Sequence, residues 1–222
     1  MACKVVAVGG FSSEVGKTTL VCELLRRLPG WEAVKVTRGH YRSCGKDPHA
    51  CCVSNLLSDE PLVRSGRAET YAPGKDTGRY WDAGASNVHW VIVTDKQVGD
   101  GVRLALERVS APGVIVEGNS FLDFVEPGFA LMVARASGGK IKPSARRALR
   151  KSSALYLSDE SDPSVEAWSV ADARERLAPW LRDADRRLIE SLPVYTREDL
   201  PRLAAHVRAS VLDASQATAL HA

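Results

Sequence analysis

The chain has no apolar run approaching the roughly 20 residues that a membrane-spanning helix needs. Its first residues read as a strand rather than as a charged-then-apolar leader. Both absences point to a cytoplasmic protein that spans no membrane. Cysteine is scarce and odd in number, five in 222 residues, which without a leader argues against a disulfide framework. There is no excess of one charge either: 30 lysines and arginines face 27 acidic residues, for a net charge of +3. Nucleic-acid binding therefore has no global electrostatic support. The dense basic stretch from Lys140 to Lys151, with Lys142, Arg146, Arg147 and Arg150, fits a solvated helix face.

What the chain does have is an apolar strand, Val5 to Val8, that runs into a turn ending in Gly16-Lys17-Thr18 and opens an amphipathic helix with Leu20, Val21, Leu24 and Leu25 on one stripe. Backbone N–H groups of such a turn, with the helix N-terminus, form a concavity for a polyphosphate. The nucleotide-binding set is Gly10, Ser12, Ser13, Glu14, Val15, Gly16, Lys17, Thr18 and Thr19. Lys17 serves the β- and γ-phosphates, and the Thr18 hydroxyl is placed to ligate Mg²⁺. Five residues separate Gly10 from Gly16, one more than in the usual loop, and Phe11 takes the usual first-glycine position.

Strand-like runs then alternate with helical patterns. Strands are expected at 4–9, 33–37, 88–94, 113–117, 129–134, 154–157 and 192–195, and helices at 17–28, 77–85, 102–109, 144–151, 171–190 (one or two) and 198–210. Such βαβ repetition predicts an α/β fold, a mainly parallel twisted sheet with helices on both faces and the ligand crevice at the strand carboxyl ends. Residues 1–210 read as a single domain, with 38–74 as a cysteine-containing loop insertion and 211–222 as a frayed tail. Segments 38–74 and 158–170 fit the alternation poorly, and the longer one is the candidate substrate loop.

A phosphate loop calls for a carboxylate at the end of a neighbouring buried strand. Val114-Ile115-Val116-Glu117 supplies one, a costly placement unless a cation or donor meets it. Glu117 is thus the candidate partner of Thr18 at the metal and, with Lys17, the candidate catalytic pair. Asp95, Asp76 and Asp82 are further carboxylates with weaker claims. Cys44, Cys51 and Cys52, with His49 and His40 close by, could wrap Zn²⁺, although the spacing is not CxxC; reduced, redox-active loop cysteines are the alternative. Cys3 and Cys22 fall on the first strand and helix, where small buried thiols are expected.

The loop Gly-x5-Gly-Lys-Thr with Glu14-Val15 resembles the phosphate loop of dethiobiotin synthetase. Other segments resemble the molybdopterin-guanine dinucleotide biosynthesis protein B family of P-loop NTPases: Val34 to His40, Gly74-Lys75-Asp76-Thr77-Gly78-Arg79 with Ala83-Gly84-Ala85, Val116-Glu117-Gly118, Leu192-Pro193-Val194 and Glu198-Asp199-Leu200. The likeness covers about two-thirds of the chain. It implies a P-loop NTPase fold, phosphate and magnesium roles for Lys17, Thr18 and Thr19, a place near the metal for Glu117, and one near the second substrate for Asp76, with Arg38 and His40 as further substrate candidates. Departures are the longer loop, the lone His40 in place of a His-rich stretch, and 158–190, which has no counterpart there. Ser12 stands where partitioning ATPases of this class carry a second lysine, which counts against a nucleotide-sandwich dimer and leaves another homodimer open.

The function expected is Mg²⁺-dependent binding of ATP or GTP, with hydrolysis or γ-phosphoryl transfer to a small-molecule or cofactor-precursor acceptor, in cofactor biosynthesis. The alternative is a non-catalytic, nucleotide-gated adaptor that docks a cofactor-synthesis enzyme. No Asn-Lys-x-Asp guanine motif is present, and the sequence leaves ATP and GTP both open.

Overall fold

Residues Lys4–Gly10 form a strand, β1, in which every residue from Val5 onward is buried, as a strand covered on both faces must be. Val6 and Val8 join one apolar cluster and Val5 and Ala7 another, because successive side chains leave a strand on opposite sides. The computed structural model describes residues 4–39, 53–135, 137, 139–158 and 170–219. After β1 come α1 (Lys17–Arg27), β2 (Glu32–Arg38), β3 (Leu62–Ser65), α2 (Arg67–Thr70), α3 (Asp76–Asp82), β4 (Val88–Val93), α4 (Val98–Glu107) and β5 (Gly113–Glu117). They are followed by β6 (Phe129–Arg135), α5 (Pro143–Leu149), β7 (Ala154–Ser158), α6 (Val170–Leu177), α7 (Asp183–Ser191), β8 (Val194–Tyr195) and α8 (Leu200–Ala219).

The eight strands form one sheet in the order β3-β4-β2-β5-β1-β6-β7-β8. All neighbours pair in parallel except β3, which runs antiparallel to β4 at the edge. One face carries α1, α3 and α8, through Leu20, Leu24, Tyr80, Leu203 and Val207. The other carries α4, α5, α6 and α7, through Val102, Ala105, Ala145, Leu149, Leu177 and Ile189. The expected mainly parallel, doubly covered α/β sheet is the fold observed.

Several boundaries differ from expectation. The α4 helix starts four residues early, after Thr94 and Gln97 close a capping box in which both side chains take part. Pro179 sits in the short turn that separates α6 from α7, where a missing N–H breaks a long helix into two. The last helix continues to Ala219. Among the described residues no helix is long and apolar enough to cross a membrane.

Candidate functional site

The turn from β1 into α1 is held from outside by donors on its carbonyls. Lys142 N–H donates to the Phe11 oxygen (2.9 Å), Arg135 Nη2 to that of Glu14 (2.7 Å), and Ser158 Oγ to that of Val15 (2.7 Å). In a trans peptide the next N–H points away from its carbonyl, so the amides of Ser12, Val15 and Gly16 are turned the other way, from these donors. Glu14 (φ 59°) and Gly16 (φ 86°) supply the left-handed steps that such a nest of amides needs. At Gly16 a side chain would also press on Ser158, with Cβ atoms 3.1 Å apart. The first-turn amides of α1 have no carbonyl one turn back.

Gly10, the first residue of the expected loop, is held by Asn119. Its N–H donates to Asn119 Oδ1 (2.8 Å) and its carbonyl accepts from Asn119 Nδ2 (2.9 Å). Phe11 N–H goes to the Val133 carbonyl. Asn119 thus anchors Gly10 where the loop leaves the sheet. A Cβ at Gly9 would lie 2.7 Å from Asn119 Oδ1, so a larger residue there would push the Asn119 side chain from its place.

A cleft of about 430 Å³ opens over this turn, lined by Ser13, Glu14, Gly16, Lys17, Thr18, Thr19, Lys35, Asp76, Arg79 and Glu117. Lys17 and the Thr18 hydroxyl come from the start of α1, Glu117 from the end of β5, Asp76 and Arg79 from α3, and Lys35 from β2. Thr18 Oγ1 donates to Glu117 Oε2 (2.9 Å). The Lys35 ammonium lies 2.6 Å from Glu117 Oε1 and 2.5 Å from Asp76 Oδ2. The Tyr80 hydroxyl donates to Glu117 Oε2 as well, and Arg79 Nη2 reaches Thr19 Oγ1 (3.2 Å). Lys17 Nζ is folded back on the Ser12 carbonyl (3.1 Å), and Lys142 Nζ reaches Ser13 Oγ (2.6 Å). The place of Asp76 depends on Gly78: a Cβ there would fall 2.0 Å from the Ala72 carbonyl oxygen, so only glycine lets the 72–75 turn fold against α3.

Burial pushes the Lys17 ammonium below the usual lysine range, with Lys35 and Lys142 adding to the shift and Glu117 opposing it. Burial would lower Lys35 too, but Glu117 and Asp76 outweigh it and hold the amine protonated above its ordinary value. For Asp76, burial is overcome by the Lys35 charge and by hydrogen bonds from Lys35 and Thr18, leaving the carboxyl below its usual value. Burial, together with the Glu117 charge, drives Tyr80 well above the phenol range.

The donor set is made of hard oxygens, the Thr18 hydroxyl and the Glu117 and Asp76 carboxylates, and this chemistry fits Mg²⁺. Among the described residues no group of three or more His, Cys, Asp or Glu gathers in a way that could hold a metal. The zinc candidates Cys44, Cys51, Cys52 and His49, with His40, lie outside the described residues, as does Cys3. Cys22 is buried, donates to the Arg79 carbonyl, and has its thiol pushed up to about 11 by burial. Arg38 is not among the cleft residues; at the end of β2 it pairs with Asp95 Oδ1 (2.7 Å). In the basic stretch, Arg146 pairs with Asp185, Arg147 with Asp123 and Lys151 with Glu126.

Sequence reasoning missed Lys35, Tyr80, Asn119 and Ser158. Lys35 had a usable signal, a lone lysine inside a strand of a buried parallel sheet. Its match with Glu117 is a matter of register between β2 and β5, which no local pattern discloses.

No family model matches the chain, and no curated protein matches it. Among solved structures it is similar to LpxK from Aquifex aeolicus, determined in complex with ATP, at 17% identity and a TM-score of 0.49. The match covers 88% of this chain and 54% of that one, so the chain spans about half the length of the structure it resembles.

Proposed function

We propose that this protein binds a magnesium-nucleotide at the β1–α1 turn and hydrolyses it or transfers its γ-phosphoryl group to a small-molecule acceptor. The observation that carries this reading is the convergence of Lys17, Thr18, Lys35, Asp76 and Glu117 on one cleft over the β1–α1 turn. Lys17 and the turn amides bind the polyphosphate and stabilise charge developing on its oxygens. Thr18, Glu117 and Asp76 would hold Mg²⁺, which neutralises phosphate charge when bound. Lys35 stays protonated between the two carboxylates and orients both. The motif resemblance favours a cofactor precursor as acceptor. Steady-state phosphate release with magnesium-ATP and magnesium-GTP tests the reading: Glu117→Gln should cut turnover about tenfold or more while nucleotide still binds. Equal rates in the parent and the variant would reduce Glu117 to a strand-end residue.

A further inference from the structure

Tyr80 is fully buried on α3, with its ring in the apolar cluster that also holds Leu20, Leu24 and Val88. A phenylalanine would fill that volume, so packing does not account for the hydroxyl. That hydroxyl donates to Oε2 of Glu117, an oxygen that also accepts from Thr18 Oγ1 at 2.9 Å. Lys35 meets the other oxygen, Oε1, at 2.6 Å. Donors from α1, α3 and β2 thus converge on one carboxylate that is only 2% exposed. A buried carboxylate calls for hydrogen-bond donors on both oxygens. The Thr18 hydroxyl has one hydrogen, and Oε2 of Glu117 accepts it.

We infer that Tyr80 is a positioning residue for the divalent cation. By fixing Oε2 of Glu117 beside Thr18, it directs the Thr18 hydrogen to that carboxylate and leaves the Thr18 oxygen lone pairs for the metal. Tyr80 touches neither nucleotide nor metal; it acts through Glu117, as partners outside the ligand set commonly do. The inference rests on the nucleotide-site reading above.

The test is direct Mn²⁺ binding, followed by electron paramagnetic resonance in the presence of ADP, with ADP affinity measured separately in chelator. Tyr80→Phe should weaken Mn²⁺ about tenfold, as loss of an outer partner does, and leave metal-free ADP affinity within about twofold, since Lys17 and the loop amides are untouched. General loosening of the site would weaken both together and would overturn the assignment, as would unchanged Mn²⁺ affinity. Site-specific 3-fluorotyrosine at position 80, a stronger donor of nearly the same volume, should tighten Mn²⁺ instead, which keeps the inference testable if the phenylalanine variant does not fold. A parent protein that binds no ADP overturns the nucleotide-site reading itself, and the inference with it.

Discussion

The Lys35 ammonium lies 2.6 Å from Oε1 of Glu117, its register partner on the next strand, with the lysine side chain 17% exposed and the glutamate 2%. A buried ion pair contributes little net stability when intact, but losing one partner strands the other charge. Lys35→Met leaves Glu117 and Asp76 without their shared cation. We expect a loss of about 3 kcal/mol in denaturant unfolding at neutral pH. Added Mg²⁺ should recover more stability in the variant than in the parent, because it replaces the missing cation. A loss of under about 1 kcal/mol, with no added response to Mg²⁺, would show that the pair is not structurally coupled to the carboxylates.

Stability should fall at both ends of the pH range. Burial alone would raise Glu32, but bonds from His89, from Ser110 and from the Ala111 amide hold it below its ordinary 4.5. Asp76 is likewise held below 3.8 by Lys35, against burial. A carboxyl depressed in the folded state stabilises above its unfolded value, and that contribution disappears as pH falls through the folded one. The acid limb should therefore begin below about 4.5, and Glu32→Gln should flatten it. On the alkaline side, Cys22 keeps its proton to about 11 while the unfolded thiol loses it near 9.0, so stability declines across that interval. Raised Lys35 adds to the decline above 10.5, whereas lowered Lys17 offsets part of the decline below 10.5. Thermal unfolding across pH measures both limbs, and an acid limb unchanged in Glu32→Gln would refute this assignment.

Asn119 grips both the N–H and the carbonyl of Gly10. Asn119→Ala removes two hydrogen bonds where β1 gives way to the loop, and should cost about 2 kcal/mol of stability. It should also weaken nucleotide binding, because the loop amides lose their fixed starting point. Equilibrium unfolding together with nucleotide titration checks both effects; intact affinity alongside the stability loss would confine Asn119 to the sheet.

The local pattern carried much of this structure. The strand, turn and helix around Gly16-Lys17-Thr18 were legible because an apolar run, glycine and helical periodicity each mark a different local geometry, and Glu117 was legible because a charge ending an apolar strand is conspicuous. Asp76 was singled out by its motif, and the structure brings it into the cleft. Leu62–Ser65 was missed, since four residues at a sheet edge show too little alternation to stand out. Tyr80 was not singled out, because nothing in its local sequence shows that its hydroxyl meets a carboxylate on strand β5. Asn119 stands two residues after Glu117, yet its partner lies 109 residues away, and only the fold brings them together.

Calorimetric titration of magnesium-ATP and magnesium-GTP into the parent protein and into Lys17→Ala tests the central claim most directly. Lys17 is held over the loop by the Ser12 carbonyl and lines the cleft, so its removal should leave the fold intact and take away the cation that meets the polyphosphate. The account predicts saturable binding of at least one nucleotide to the parent and its loss, by about 100-fold or more, in the variant. No binding to the parent, or equal affinity in the two proteins, would contradict it.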